Sequence, residues 1–150
     1  MTITLLLLIL LLLSGTQCGL FPKSSLETQF FAQGNLKCLH HHPKWCYSVA
    51  LMEKDWFRET DDILDTDGAH CRYTDTQPFR LFGVDDGDGP NDDFYELTIE
   101  ISHNCSQNGD ILRMTKRFKP TSVRAKKSYI QFTVDVTNRG KVVDDYWSFR

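Results

Sequence analysis

Three consecutive histidines, His40 to His42 in the segment LHHHPKWC, are the residues whose type best suits a metal ion. In an extended chain His40 and His42 lie on the same side, and their imidazoles suit zinc or copper, with His70 or His103 as a third ligand. The nearby cysteines are expected to be oxidised, which removes thiolate ligands. We therefore interpret the segment as a polar hairpin, expect no bound metal or other cofactor, and keep His40 and His42 as second-choice metal candidates.

A second candidate for cation binding is the segment DDGDGPNDD, residues 85–93, which holds five aspartates and Asn91. Dense carboxylates on a loop can bind Ca²⁺ through oxygen ligands. Their spacing, like that of DTDG at residues 65–68, differs from the Asp-x-Asp-x-Asp-Gly pattern that ends in glutamate. We interpret both segments as solvated acidic turns.

Charge is distributed unevenly along the chain. Seven basic residues lie from Arg113 to Lys127, whereas residues 85–100 contain seven acidic residues and no basic one. This asymmetry predicts one basic and one acidic region on the surface. An anionic surface ligand or an acidic extracellular protein would bind the basic region. The residues expected to form it are Arg113, Lys116, Arg117 and Lys119. The alternative is that Arg113, Thr115 and Arg117 merely form the solvated face of a strand.

Catalytic motifs are absent from the sequence. It contains no Gly-x-Ser-x-Gly nucleophile elbow, and oxidised cysteines would not serve as nucleophiles. We therefore expect a protein that is not an enzyme.

The first residues of the chain indicate the compartment of the protein. Leu5 to Leu13 are all leucine or isoleucine, a run too short to span a hydrocarbon core of about 30 Å. It fits the hydrophobic region of a secretory signal peptide over residues 1–18, with cleavage before Gly19. The alternative is an uncleaved membrane anchor. We expect a secreted, extracellular chain that is not transmembrane. Its net charge of −3 gives no reason to expect nucleic acid as a partner.

Four cysteines remain beyond the predicted leader. In an oxidising compartment they predict two disulfides, with three possible connectivities. Cys105 is in phase with the apolar side of FYELTIEISHNC, and Cys38 is in phase with Leu36, so both point inward and are good candidates to pair. Cys46 and Cys71 would then pair by elimination.

Asn104 lies one residue out of phase with this apolar side, so we expect its side chain to face solvent. It begins the sequon Asn-Cys-Ser, and a secreted chain with this sequon is a substrate for N-glycosylation. The neighbouring disulfide could hinder that modification.

Short segments with period-two alternation, separated by turn-forming residues, dominate the rest of the chain. They are GNLKCLH, CYSVALMEKD, PFRLFG, FYELTIEISHNC, ILRMTKRF and YIQFTVDVTN. This pattern predicts an all-β, two-sheet antiparallel β-sandwich over residues 34–140, preceded by an arm at 19–33 and followed by a tail at 141–150. ETDDILD is expected to form one helical turn capped by Thr60. DTDGAH is expected to be a turn.

These segments, taken in order, resemble the nematode transthyretin-like family over about residues 34–140. The resemblance rests on GNLKC, Pro43, VALMEKD, DDILD, TDTQPFRLFG and ELTIEISHNC, followed by RMTKRFKPTSV and FTVDVTNRG. The chain departs from the family pattern in the additional cysteines Cys46 and Cys71, in Asn104, where the family has aspartate, and in the histidine-rich hairpin.

The resemblance implies a secreted transthyretin-like β-sandwich in which the first-strand cysteine, here Cys38, and the His-x-Cys cysteine, here Cys105, form the recurring pair. It favours a non-catalytic extracellular binding or carrier module with an unknown ligand. One alternative is a small-ligand carrier oligomer with a channel between subunits. The other is an enzyme similar to the hydroxyisourate hydrolases, whose terminal Tyr-Arg-Gly-Ser is missing from the ending DYWSFR.

Overall fold

The computed structural model describes residues 27–40, 44–55, 61–87 and 93–146. Over these residues the chain is all-β, as predicted. The strands are β1 (Thr28–Lys37), β2 (Trp45–Glu53), β3 (Asp62–Arg72), β4 (Thr76–Asp85), β5 (Phe94–Tyr95), β6 (Leu97–His103), β7 (Leu112–Arg117), β8 (Thr121–Ser122), β9 (Lys127–Asp135) and β10 (Lys141–Val142). The predicted signal peptide, His42 and most of the acidic segment 85–93 lie outside the described residues.

The strands form two larger sheets and a short ribbon. The three-stranded sheet has the order β4-β1-β9, the five-stranded sheet has the order β10-β7-β6-β2-β3, and β5 pairs with β8. The prediction of purely antiparallel sheets is wrong for one pair, because β1 and β9 run parallel. A parallel pair needs a long crossover, and here four of the five strands of the larger sheet, β2, β3, β6 and β7, lie between β1 and β9 in sequence.

One hydrophobic core is shared by the two larger sheets. The three-stranded sheet contributes Phe30, Leu36, Phe79 and Leu81, and the five-stranded sheet contributes Val49, Leu51, Ile99 and Ile101. Period-two alternation explains why these residues form the core, since they occupy the inward-facing positions of their strands. The two sheets therefore pack face to face across these side chains.

Two disulfides join the strands, and they are the two pairs favoured by the sequence. Cys38 follows β1 and Cys105 follows β6, so their bond links the two sheets at a Cα–Cα distance of 5.8 Å. Cys46 and Cys71 are directly opposite each other on β2 and β3. Their bond therefore fastens the edge strand of the five-stranded sheet.

Strand β3 corrects two local predictions. The stretch expected to contain a helical turn and then the turn DTDGAH is one strand, Asp62–Arg72, paired with β2 along its length. Aspartate and glycine are poor strand formers, but β3 is an edge strand with no fully buried residue. Pairing with β2 overrides the local preference. Thr60, the expected cap, lies outside the described residues.

The boundaries of the domain also differ from the prediction. β1 begins at Thr28, so the last six residues of the stretch predicted as an arm, 28–33, belong to the three-stranded sheet. The adjacent Phe30 and Phe31 obscure the alternation there, because one is buried and the other faces outward. At the other end, β10 lies within the predicted tail and pairs with β7.

The five-stranded sheet is covered on its outer face as well as on its core face. Every residue of β6 is buried. Residues 143–146, the C-terminal strap, account for part of this cover. The Val143 amide donates to the Ile111 carbonyl at 2.9 Å, and the Ser48 hydroxyl donates to the Tyr146 carbonyl at 2.8 Å. Both faces at the centre of this sheet are therefore buried.

Candidate functional site

Three aromatic side chains form a row across the outer face of the three-stranded sheet. Phe31 on β1 is directly opposite Phe82 on β4 and Tyr129 on β9. The Phe31 ring centroid lies 5.0 Å from that of Phe82 and 5.1 Å from that of Tyr129, to which it is nearly parallel. We call Phe31, Phe82 and Tyr129 the aromatic row.

The aromatic row is exposed because it is out of phase with the core. The preceding or following residue on each strand, Phe30, Leu81 or Ile130, points inward and is buried. Tyr129 is 72% exposed and Phe82 is 48% exposed. Packing of the core therefore does not explain three neighbouring aromatic rings at this surface. Contiguous exposed apolar groups are typical of binding sites.

A polar row lies beside the aromatic row. One step along the sheet, Gln33 is opposite Arg80 and Gln131. Arg80 has no ion-pair partner within the described part of the chain. Asp65 reaches the same site from β3, where its carboxylate accepts the backbone N–H of Phe82 at 2.8 Å.

Together the two rows line a surface cavity of about 480 Å³. This volume is within the range of sites for small molecules. The floor is aromatic, and the guanidinium of Arg80 supplies a positive charge at one side. A flat aromatic molecule with an anionic group would match both features, by stacking on the rings and by a charge-assisted hydrogen bond.

The basic residues predicted as one surface are divided between two faces of β7. Arg113 and Arg117 share the outer face with Thr115, whereas the intervening Lys116 points the other way. Its ammonium lies 5.5 Å from the ring centroid of Phe132 and 5.7 Å from that of Phe118. Lys119 is exposed beyond the end of the strand. The four residues therefore do not form one continuous basic face.

Arg113 is also mostly occupied by intramolecular contacts. Its side chain is 12% exposed and lies 3.8 Å from the carboxylate of Asp145. It donates to the Ser102 hydroxyl at 2.8 Å and to the Asp145 carbonyl at 3.1 Å. Its role in this structure is to hold the C-terminal strap against the sheet.

Of the histidines proposed as metal ligands, the three that the structure describes, His40, His70 and His103, do not form a metal site. His40 contacts the Asn138 amide nitrogen at 2.8 Å, and His70 contacts the Asp67 carboxylate at 2.6 Å. His103 is buried, with both ring nitrogens in hydrogen bonds. Over residues 27–40, 44–55, 61–87 and 93–146, no three His, Cys, Asp or Glu residues are placed to hold a metal ion.

Asn104, the sequon residue, is half-buried rather than directed freely into solvent. Its side-chain oxygen accepts the Cys46 backbone N–H at 2.7 Å, and its own backbone N–H donates to the Cys46 carbonyl. The side-chain amide nitrogen, which a glycan would modify, is not used in these bonds. Glycosylation of Asn104 stays a prediction.

The alternation within a single strand predicts core positions but does not predict the aromatic row. The available signal was an aromatic residue next to a core residue, and therefore on the opposite face, in three segments: Phe31 after Phe30, Phe82 after Leu81, and Tyr129 before Ile130. The sequence alone does not show how these three strands are aligned with one another. Only the pairing of β1 with β4 and β9 makes the residues neighbours.

Comparison with known proteins gives a family but no activity. The family described as "Caenorhabditis elegans protein of unknown function (DUF870)" matches residues 33–145. The Caenorhabditis elegans protein named "Uncharacterized protein B0416.7" is 31% identical over 91 residues, which are 61% of this chain and 66% of that protein, slightly under two thirds of its length. No solved structure matches.

Among the residues that the structure describes, no helix is both long and apolar enough to span a bilayer. The two disulfides are compatible with an extracellular protein. The family match covers most of the chain, including all strands from β2 to β10, and the chain therefore belongs to the DUF870 family.

Proposed function

We propose that this protein is a secreted, non-catalytic binding module with a transthyretin-like β-sandwich, and that the aromatic row binds a small, flat aromatic molecule carrying an anionic group.

The transthyretin-like fold is supported by the shared core between the two larger sheets and by the bond between Cys38 and Cys105. This bond is the pair that the resemblance to the nematode family implies. The resemblance also covers the segments from GNLKC to FTVDVTNRG in their expected order. Secretion is supported by the hydrophobic run from Leu5 to Leu13 and by two disulfides, which persist in oxidising compartments.

The aromatic row is the observation that carries the ligand proposal. An apolar ligand laid on Phe31, Phe82 and Tyr129 would remove exposed ring surface from water, at about 25 cal/mol per Å². Stacking adds about 0.5–1.5 kcal/mol for each well-placed ring pair. Arg80 would then select ligands with a carboxylate, sulfonate or phosphate beside the ring system.

The test uses 8-anilinonaphthalene-1-sulfonate, which combines aromatic rings with an anionic group. Its fluorescence is titrated with the full-length secreted chain and with the Tyr129→Ser variant. We expect binding to weaken at least tenfold in the variant. Tyr73→Ser is the matched control, since Tyr73 is equally exposed but lies in the β3–β4 connection. Equal affinity of both variants and the unaltered protein would refute the ligand proposal.

The contribution of Arg80 is measured separately. Arg80→Gln keeps a polar side chain and removes the positive charge. The unaltered protein should bind the sulfonate probe more tightly than a neutral naphthalene of the same size. We expect Arg80→Gln to lose this preference while its affinity for the neutral probe stays unchanged. Loss of both probes to the same degree would contradict the assigned role of the charge.

A small-ligand carrier oligomer is the second candidate, and the position of the row favours it. All three rings lie on one open sheet face, so a second copy placed against that face would enclose ligand between two rows. Sedimentation of the unaltered protein and of Tyr129→Ser distinguishes the two candidates. An oligomer that dissociates in the variant supports the carrier, and a monomer at all concentrations excludes it.

A further inference from the structure

A second polar site lies on the outer face of the five-stranded sheet, away from the aromatic row. The Lys54 ammonium is 2.8 Å from Asp61 Oδ2 and 3.0 Å from Glu100 Oε1. Glu100 is at the centre of β6 and only 7% exposed. Buried carboxylates are rare unless they are paired, and Lys54 provides that pairing for one of the two oxygens.

The second oxygen of Glu100 has no hydrogen-bond donor within the described part of the chain and is shielded from solvent. Lys54 is fully used, because its ammonium also contacts the Met52 sulfur at 3.5 Å in addition to the two carboxylates. An unsatisfied buried acceptor costs about 1–3 kcal/mol, and more if charged. Such an exception in a folded protein calls for a functional reason or a bound group.

Positive side chains also line this site. Thr115 on β7 is directly opposite Glu100. Arg117 is two residues further along β7, and Lys141 on β10 is directly opposite Arg113. Neither Arg117 nor Lys141 has an ion-pair partner among the residues that the structure describes. These groups and the Lys54 cluster line a cleft of about 490 Å³, large enough for a small polar molecule.

We propose that this cleft binds a small zwitterion with a primary ammonium and a carboxylate or phosphate. The ammonium donates to the free oxygen of Glu100, and the anionic group binds Arg117 and Lys141. This binding requires the carboxylate to rotate so that the shielded oxygen faces the cleft, and the terminal torsion of a glutamate side chain is broad enough to allow it. A ligand with both charges matches both the Glu100 oxygen and the two cations, whereas a simple anion would leave the Glu100 oxygen unsatisfied.

Donor chemistry gives the sharpest test. Isothermal titration calorimetry compares glycine with glycine betaine, and O-phosphoethanolamine with phosphocholine. The trimethylated nitrogen of the second compound in each pair keeps the charge but cannot donate. We expect saturable binding of at least one primary amine and at least tenfold weaker binding of its trimethylated counterpart. Equal affinities within each pair, or binding by none of the four compounds, would overturn the proposal.

Variants assign the binding to this cleft. Glu100→Gln keeps the shape and replaces one carboxylate oxygen with an amide donor, and Arg117→Ala removes an exposed side chain that the fold does not require. Each is expected to weaken zwitterion binding at least tenfold. Arg124→Ala, another exposed arginine, is the control and should bind normally. Unchanged binding in Arg117→Ala would overturn the assignment even if Glu100→Gln failed to fold.

The site is independent of the proposed function, because it occupies the other sheet. Tyr129→Ser should therefore bind the zwitterion as well as the unaltered protein does. Loss of zwitterion binding in Tyr129→Ser would overturn the location of the site.

Discussion

The imidazole of His103 donates from Nε2 to the Arg139 carbonyl at 2.8 Å and accepts the Cys105 backbone N–H at Nδ1. These two bonds define a neutral ring with its proton on Nε2. They connect the end of β6 to the turn that follows β9, beside the bond between Cys38 and Cys105. The sequence suggested His103 as a third metal ligand, whereas in the structure both of its ring nitrogens form hydrogen bonds within the fold.

Burial of His103 predicts that the folded protein loses stability in acid. Desolvation lowers its pKa from 6.5 to about 4 in the folded protein, although its bond to Arg139 opposes the shift. Because the unfolded chain takes up this proton first, stability falls as the pH drops from about 6.5 to about 4. The shift corresponds to a loss on the order of 3 kcal/mol. Urea unfolding at several pH values measures it.

The matched variant for this prediction is His103→Gln, which is less stable at neutral pH but lacks the titrating ring. Its free energy of unfolding should depend less on pH between 6.5 and 4 than that of the unaltered protein. Parallel pH profiles for the two proteins would show that other groups cause the acid sensitivity.

Gly34 is required by the close approach of β1 and β9. A Cβ at this position would lie 1.9 Å from the Phe132 carbonyl oxygen and 3.0 Å from the Phe79 ring. Gly34→Ala must therefore move the backbone of β9, and we expect a loss of at least about 1–3 kcal/mol. Thermal unfolding compares this variant with Gln33→Ala, which changes an exposed neighbour on the same strand. Equal melting temperatures of the two variants would show that the position next to the Phe132 carbonyl tolerates a side chain.

The two disulfides should contribute unequally to stability. Cys38 and Cys105 are separated by 67 residues, and Cys46 and Cys71 by 25 residues. In the chain-entropy treatment, removing the longer link costs about 4 kcal/mol and removing the shorter one about 3.5 kcal/mol. Core burial of Cys38 and Cys105 widens this difference. Denaturant unfolding of the two double-serine variants should rank them in this order, and the reverse order would contradict it.

Arg113 should stabilise the C-terminal strap. Arg113→Ala removes the bonds to Ser102 and Asp145, and we expect a loss of about 1–2 kcal/mol. The amide of Val143, which bonds to Ile111, should then exchange its hydrogen faster. Arg117→Ala, a more exposed arginine on the same strand, is the control. Unchanged exchange at Val143 would mean that the strap is held without Arg113.

Much of the architecture could be predicted from the sequence, because alternation of apolar and polar residues is a local property. It identified β2, β4, β6, β7 and β9, the all-β class and the inward direction of Cys38 and Cys105. It failed at β3, whose aspartates and glycine disfavour a strand. Pairing with β2 and a disulfide supply the missing stability there, and neither is visible in the local pattern.

The candidate sites were decided by tertiary structure. The residue types of the aromatic row were present in the sequence, but their common face depends on β1 lying between β4 and β9, one neighbour antiparallel and one parallel. The basic residues of β7 are close in sequence but do not share a face. Side chains alternate between the two faces of a strand, so Lys116 lies on the opposite face from Arg113 and Arg117. The sequence thus determined which side of each strand a residue occupies. The pairing of distant strands decided which residues meet, because that pairing depends on burying one core shared by both sheets.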